Sequence, residues 1–137
     1  MIALHILKLL ENENFGTIDT DLFFEDVLLD SAGKPKQGVW IVERGTDISR
    51  LTHQTQNFDI YSRYTNKLTG YKKLESILGF LQEAYGEVCE LPTVPPYSTA
   101  EYNNVRIEPT SSVENAGVDE NGKVVRVISG IVRYDKA

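Results

Sequence analysis

The chain is short of the residues that usually carry chemistry. Among 137 residues there is one cysteine, Cys89, and there are two histidines, His5 and His53. A single cysteine excludes an intrachain disulfide, and nothing points to an oxidising compartment. The ten glycines do not gather into a phosphate loop or a dinucleotide fingerprint. Basic residues are outnumbered, 14 Lys and Arg against 20 Asp and Glu, for a net charge of −6. That balance argues against tight general binding to nucleic acid, which needs cations to neutralise phosphates. It leaves open a duct through which DNA passes without sticking. No apolar run approaches the roughly 18 residues of a membrane span. The opening stretch, Met1 to Leu10, is apolar but broken by His5 and Lys8. It has no basic leader and no small-residue cleavage site, so no signal peptide is expected. The expectation is a soluble cytoplasmic protein without cofactor or metal.

What remains is ordinary globular material, 41% hydrophobic and 25% charged, enough for one domain over residues 1–137 with its own core. Ile2, Ile6, Leu9 and Leu10, with Leu4 and Leu7 beside them, predict a short amphipathic helix over 2–10. The polar run Glu11 to Asn14 and Gly16 should end it. Leu22, Phe24 and Val27 suggest a strand among acids, and 31–38 reads as a turn-rich connector. Val39 to Arg44 is a β-branched strand closed by Gly45-Thr46-Asp47. Gln54 to Tyr64 is the next, with Phe58, Ile60 and Tyr64 facing in and Asp59, Tyr61 and Arg63 facing water. These strands suggest an antiparallel meander.

Tyr71, Leu74, Ile77, Leu78, Leu81 and Tyr85 fix a long helix, capped by Asn66 or Thr69 and stopped by Gly86. A short strand is expected at Val88 to Leu91, then a connector that Pro95-Pro96 keeps extended. The last third, Val105 to Tyr134, reads as one long β-hairpin. Its turn is Asp119-Glu120-Asn121-Gly122, with Gly122 in the left-handed position. Pro109 has no amide for a ladder and must face an edge or bulge. Gly130 marks a bend or a close backbone approach. The fold class is therefore α+β: an antiparallel sheet packed by a short N-terminal helix and one long helix, with a long C-terminal β-hairpin.

Several residues invite a chemical reading, and each has a plainer one. Asp19, Asp21, Glu25, Asp26 and Asp30 supply the carboxylates that a hard cation wants. Their spacing fits no calcium loop, so a solvated acidic surface or a partner surface is the simpler account. A catalytic histidine needs a partner in hydrogen-bond reach. His5 sits on the helix and His53 in a polar loop, and both read as structural. Cys89 follows a helix C-terminus, the wrong end of the dipole to activate a thiol. Arg44, Arg50, Arg63 and Lys67, interleaved with Tyr61 and Tyr64, suit contacts between subunits better than contacts to DNA. Trp40 is a core or rim residue. Tyr97, Tyr102 and Tyr134 sit near the hairpin ends, where a half-wet surface favours tyrosine.

Four runs carry a family resemblance: Trp40 to Gly45, Phe58 to Arg63, Asn66 to Leu74, and Gly117 to Gly122. Together they resemble the minor capsid, or tail terminator, proteins of long-tailed bacteriophages, over about Phe15 to Tyr134. The resemblance implies helices on an antiparallel sheet and no enzymatic activity. It implies a homohexameric ring that caps the tail tube and docks onto the head-completion or neck proteins. Genomic DNA would cross its lumen without specific binding. The protein would then belong to the virion, at the head–tail junction, assembled in the host cytoplasm without contact with a membrane.

On this reading the subunit interface falls on the hairpin: Tyr102, Val105, Ile107, Pro109, Val125, Val127, Gly130, Arg133 and Tyr134. Asp19, Asp21, Glu25, Asp26 and Arg63 would be lumen or partner charges. A head-closure adaptor or a tube subunit is the alternative within the same class. A small metal-dependent nuclease or hydrolase using the 19–30 acids is the alternative outside it.

Overall fold

The closing strand organises the molecule. The computed structural model describes residues 2–26, 29–45, 53–85 and 90–136. These form α1 (Ile2–Asn12), β1 (Leu22–Phe24), β2 (Gly38–Glu43), β3 (His53–Tyr64), α2 (Lys67–Tyr85), β4 (Tyr102–Pro109), β5 (Glu114–Val118) and β6 (Val124–Lys136). β6 is 13 residues long, about 43 Å at roughly 3.3 Å per residue. It lies inside the sheet rather than at its margin: the order is β1-β2-β3-β6-β4, with β5 also on β6. β3 pairs with β6 along its whole length, from His53↔Asp135 to Tyr64↔Val124. β4 and β5 share the other side of β6, end to end. The fold is α+β with a mixed sheet, mostly antiparallel.

The hairpin forms as the residues require. Gly122 sits at φ +75°, its amide donates to Asp119 O, and Asp119 Oδ1 accepts the Asn121 and Lys123 amides. Its first arm is broken: β4 stops at Pro109 on the sheet edge, and pairing resumes at Glu114. A bulge at Asn104, φ +53°, lets both Tyr102 and Val105 face inward. Gly130 is not a bend. It lies within β6, opposite Phe58.

Both helices pack on one face of the sheet. Val39 and Ile41, Phe58 and Ile60, Ile128 and Val132, and Val105 and Ile107 point into one core with α1 and the Leu74–Ile77–Leu81 stripe of α2. Asn66 caps α2 by accepting the Leu68 amide. α1 is less amphipathic than its pattern predicts, because every residue from Ile2 to Leu7, His5 included, is buried, as are Leu9 and Leu10. Each fully buried aliphatic contributes about 1.5–3 kcal/mol. The half-exposed Lys8–Glu11 pair contributes a few tenths at most. α1 is therefore a core helix held by burial, and the 91–100 connector covers its far side. It runs to Asn12, two residues beyond the predicted 2–10, and stops within the polar run. Asn14 takes the left-handed position, φ +64°, while Phe15 N bonds Leu10 O and Asn14 N bonds Glu11 O.

Other expectations need correction. β1 pairs with β2 in parallel, not as a meander; residues 25–37 are long enough to carry the chain back across. The 92–97 connector is not extended. Val94 and Ser98 exchange both backbone hydrogen bonds and close it into a turn around a cis Pro95–Pro96 bond. Glu90 and Leu91 lie outside any strand. His53 opens β3 rather than lying in a loop. Val27, Thr46-Asp47, Arg50, Gly86, Val88 and Cys89 lie outside the described residues.

Candidate subunit interface

The strand register leaves one face of the sheet without a helix among the described residues. On it, Trp40, Tyr61 and Val127 line up across β2, β3 and β6, with Val42, Val125 and Ile131 on the same face. All six are half-buried. Trp40 and Tyr61 stack with ring centroids 5.0 Å apart at 11°. The Arg63 guanidinium lies 4.8 Å from the Trp40 ring. β5 borders this face and is exposed throughout.

Several charges on this face are paired within the chain, while Arg106 and Glu114 at its border have no ionic partner among the described residues. Arg63 Nε lies 3.1 Å from Asp119 Oδ2, an ionic contact without hydrogen-bond geometry, and ties the hairpin turn to the sheet. Arg44 Nε reaches Asp59 Oδ2 at 2.9 Å, and Ser129 Oγ donates to Asp59 Oδ1 at 2.6 Å. Arg133 pairs with Glu108. Burial, and then the Asp59 charge, push the Tyr61 hydroxyl above its ordinary pKa. The result is an apolar strip studded with neutral pairs.

The predicted interface residues divide. Val125 and Val127 belong to the open face, and Arg133 is exposed beside it. Pro109 ends the edge strand β4. Val105, Ile107 and Tyr102 do not belong, because they are buried in the chain's own core. Gly130 and Tyr134 face the same interior side. Alternation along β4 and β6 explains the split: neighbours in sequence point to opposite faces. Trp40, Val42, Tyr61 and Ile131 complete the face, and the signal that finds them is their register against Val125 and Val127.

The acids do not converge. Among the described residues no three of His, Cys, Asp and Glu come together as a metal site would require. Asp21 accepts the Thr17 amide, Glu25 the Glu43 amide, and Asp30 the Ala32 and Lys34 amides. The Lys34 amide bond to Asp30 holds that carboxyl below its usual pKa. Arg63, expected as a lumen charge, is spent on Asp119 and Trp40.

His5 has partners that its sequence position does not reveal. Its Nδ1 lies 2.9 Å from the Pro92 carbonyl and its Nε2 2.9 Å from Ser98 Oγ. A carbonyl only accepts, so Nδ1 donates to Pro92, and Nε2 bonds the Ser98 hydroxyl. The arrangement orients a serine, yet His5 is fully buried and Ser98 Oγ also accepts the Ala100 amide. The adjoining pocket of about 250 Å³ is lined by Glu90, Leu91, Thr93, Glu101, Tyr102 and Asn103, not by His5 or Ser98. The group is a latch between α1 and the connector. Tyr102 packs edge-on against both His5 and Tyr134. Burial raises the pKa of both tyrosines, with Glu43 adding to it. No model of a known protein family matches the chain, and no curated protein matches its sequence.

Proposed function

We propose that this protein is a structural subunit of a virion, a tail terminator whose homohexameric ring caps the tail tube and joins it to the head-completion proteins. One observation carries the reading: a sheet face that bears no helix among the described residues and holds a half-buried apolar strip, bordered by the exposed strand β5. Such a face suits protein packing, since the charges at its centre are paired and its aromatic residues are favoured at interfaces. The exposed strand adds unpaired backbone groups that a neighbouring chain can use. The family resemblance supplies the ring, the tube and the neck as partners. The net charge of −6 suits a conduit through which DNA slides, because like charge keeps phosphates from binding.

Electron microscopy and native mass spectrometry of the purified protein, alone and with tail tubes, test the reading. Closed rings, or caps on tube ends, are the expected result. Open polymers would move the chain to the tube-subunit alternative. Absence of the protein from purified virions would end the proposal.

A further inference from the structure

Four of the five large apolar groups exposed among the described residues fall into two patches of opposite charge. Three of them, Leu68 (62% exposed), Tyr71 (38%) and Val118 (66%), gather where α2 starts and β6 begins. Val118 pairs with Val124, and the Arg126 guanidinium lies 5.4 Å over the Tyr71 ring. The cations here are Lys67, Lys72 and Arg126. None has a carboxylate partner among the described residues, and the buried Arg126 Nε has no hydrogen-bond acceptor.

The second patch is concave. Leu4, Ile18, Phe24 and Tyr97 line a pocket of about 280 Å³ with Asp19 as its one charged wall. Tyr97 at its rim is 65% exposed. Asp19 is held at φ +69° by its amide bond to Leu22 O, and its carboxylate has no partner among the described residues. Pockets for drug-sized ligands run from about 300 to 1,000 Å³. This one is small and apolar, and suits one or two side chains of a protein that brings a cation.

We propose that the two patches meet between copies of this chain. Leu68 of one copy fills the pocket of the next, and Lys72, one turn along α2 on the same side, faces Asp19. The inference rests on the reading of the chain as a self-assembling subunit, and it names the lateral contact. A ring needs two unlike surfaces that join head to tail, and these patches pair an apolar knob with a socket of opposite sign. The open sheet face, whose central charges are paired, is left for the axial neighbour.

Charge reversal followed by native mass spectrometry across a concentration series tests the contact. Lys72→Asp, Leu68→Asp and Asp19→Lys should each raise the concentration at which copies associate by about tenfold or more. Lys72→Asp combined with Asp19→Lys should recover most of the loss. Asp19→Asn keeps a residue that tolerates the left-handed conformation and separates charge from backbone strain. Leu68→Cys with Tyr97→Cys, in a Cys89→Ser background, should cross-link copies on oxidation. Wild-type rings that survive every reversal and give no cross-link would overturn this contact and leave self-assembly standing. A wild type that stays monomeric, with or without tubes, would overturn the self-assembly reading itself.

Discussion

A Cβ on Gly130 would stand 2.6 Å from Cζ of Phe58, its cross-strand partner in β3. The tip of the Phe58 ring reaches over the one position in β6 that carries no side chain, and the ring is buried there. Gly130→Ala should therefore lower stability by about 1–3 kcal/mol, the usual cost of forcing extra volume into a packed core. Thermal melts check it. Pairing the change with Phe58→Leu should return part of the loss, and strict additivity would show that the ring is not what resists the methyl group.

Gly122 tests the hairpin differently, since nothing lies within 4 Å of where its Cβ would stand. Only the backbone, at φ +75°, opposes a side chain. Gly122→Val should cost on the order of 1–3 kcal/mol. Gly122→Asn should cost less, because asparagine visits the left-handed region readily. Equal melting temperatures for the two variants would mean that the turn is not left-handed there.

Alkaline titration probes the buried tyrosines. Tyr61, Tyr64, Tyr102 and Tyr134 all have pKa values raised above 10.0, burial being the largest cause in each. The folded state then holds its phenolic protons at pH values where the unfolded chain loses them. Their contribution is complete below the unfolded value and is lost as pH climbs through the folded values. Stability measured by denaturant should fall as pH rises above about 10. Tyr102→Phe with Tyr134→Phe should flatten that fall, and an unchanged slope would deny those two a part in it.

His5→Phe should destabilise by on the order of 1–3 kcal/mol, because the Pro92 carbonyl and the Ser98 hydroxyl lose their shared partner in a buried site. Ser98→Ala should cost less, since Ser98 is only half-buried. Both are read by equilibrium unfolding. Ser98 labelling by a serine-directed fluorophosphonate would contradict the latch.

Much of this fold was legible because local rules decide it. The Leu74–Ile77–Leu81 stripe, the Asn66 cap and the Asp119–Gly122 turn each need only neighbouring residues. What escaped depends on distant partners. Nothing near His5 announces Pro92 or Ser98, at separations of 87 and 93 residues. The parallel β1–β2 pairing depends on how the chain returns from β1 to β2, not on β1's own composition. The interface reading failed at Val105 and Ile107 for a related reason. A hairpin on its own has two faces, and its pattern does not say which one the rest of the chain will cover.

The open face supplies the sharpest contrast between folding and assembly. Val127 is half-buried between Tyr61 of β3 and Glu114 of β5. Ile107, twenty residues earlier in the same hairpin, is fully buried. Val127→Lys puts a cation opposite Glu114, a cross-strand pair that offsets part of the lost packing by about 0.2–1 kcal/mol. The folded monomer should survive, but a charge now stands in the middle of the apolar strip, where burial against a partner would strip its water. Tube-end decoration should therefore be lost, while the rings seen by native mass spectrometry persist and the melting temperature moves little. Ile107→Ala should do the reverse, costing about 2–5 kcal/mol through the cavity it leaves. Below its lowered melting point it should still assemble. Tube-end decoration that tolerates Val127→Lys would show that this face stays in solvent, and the search for the packing surface would move to the β5 edge.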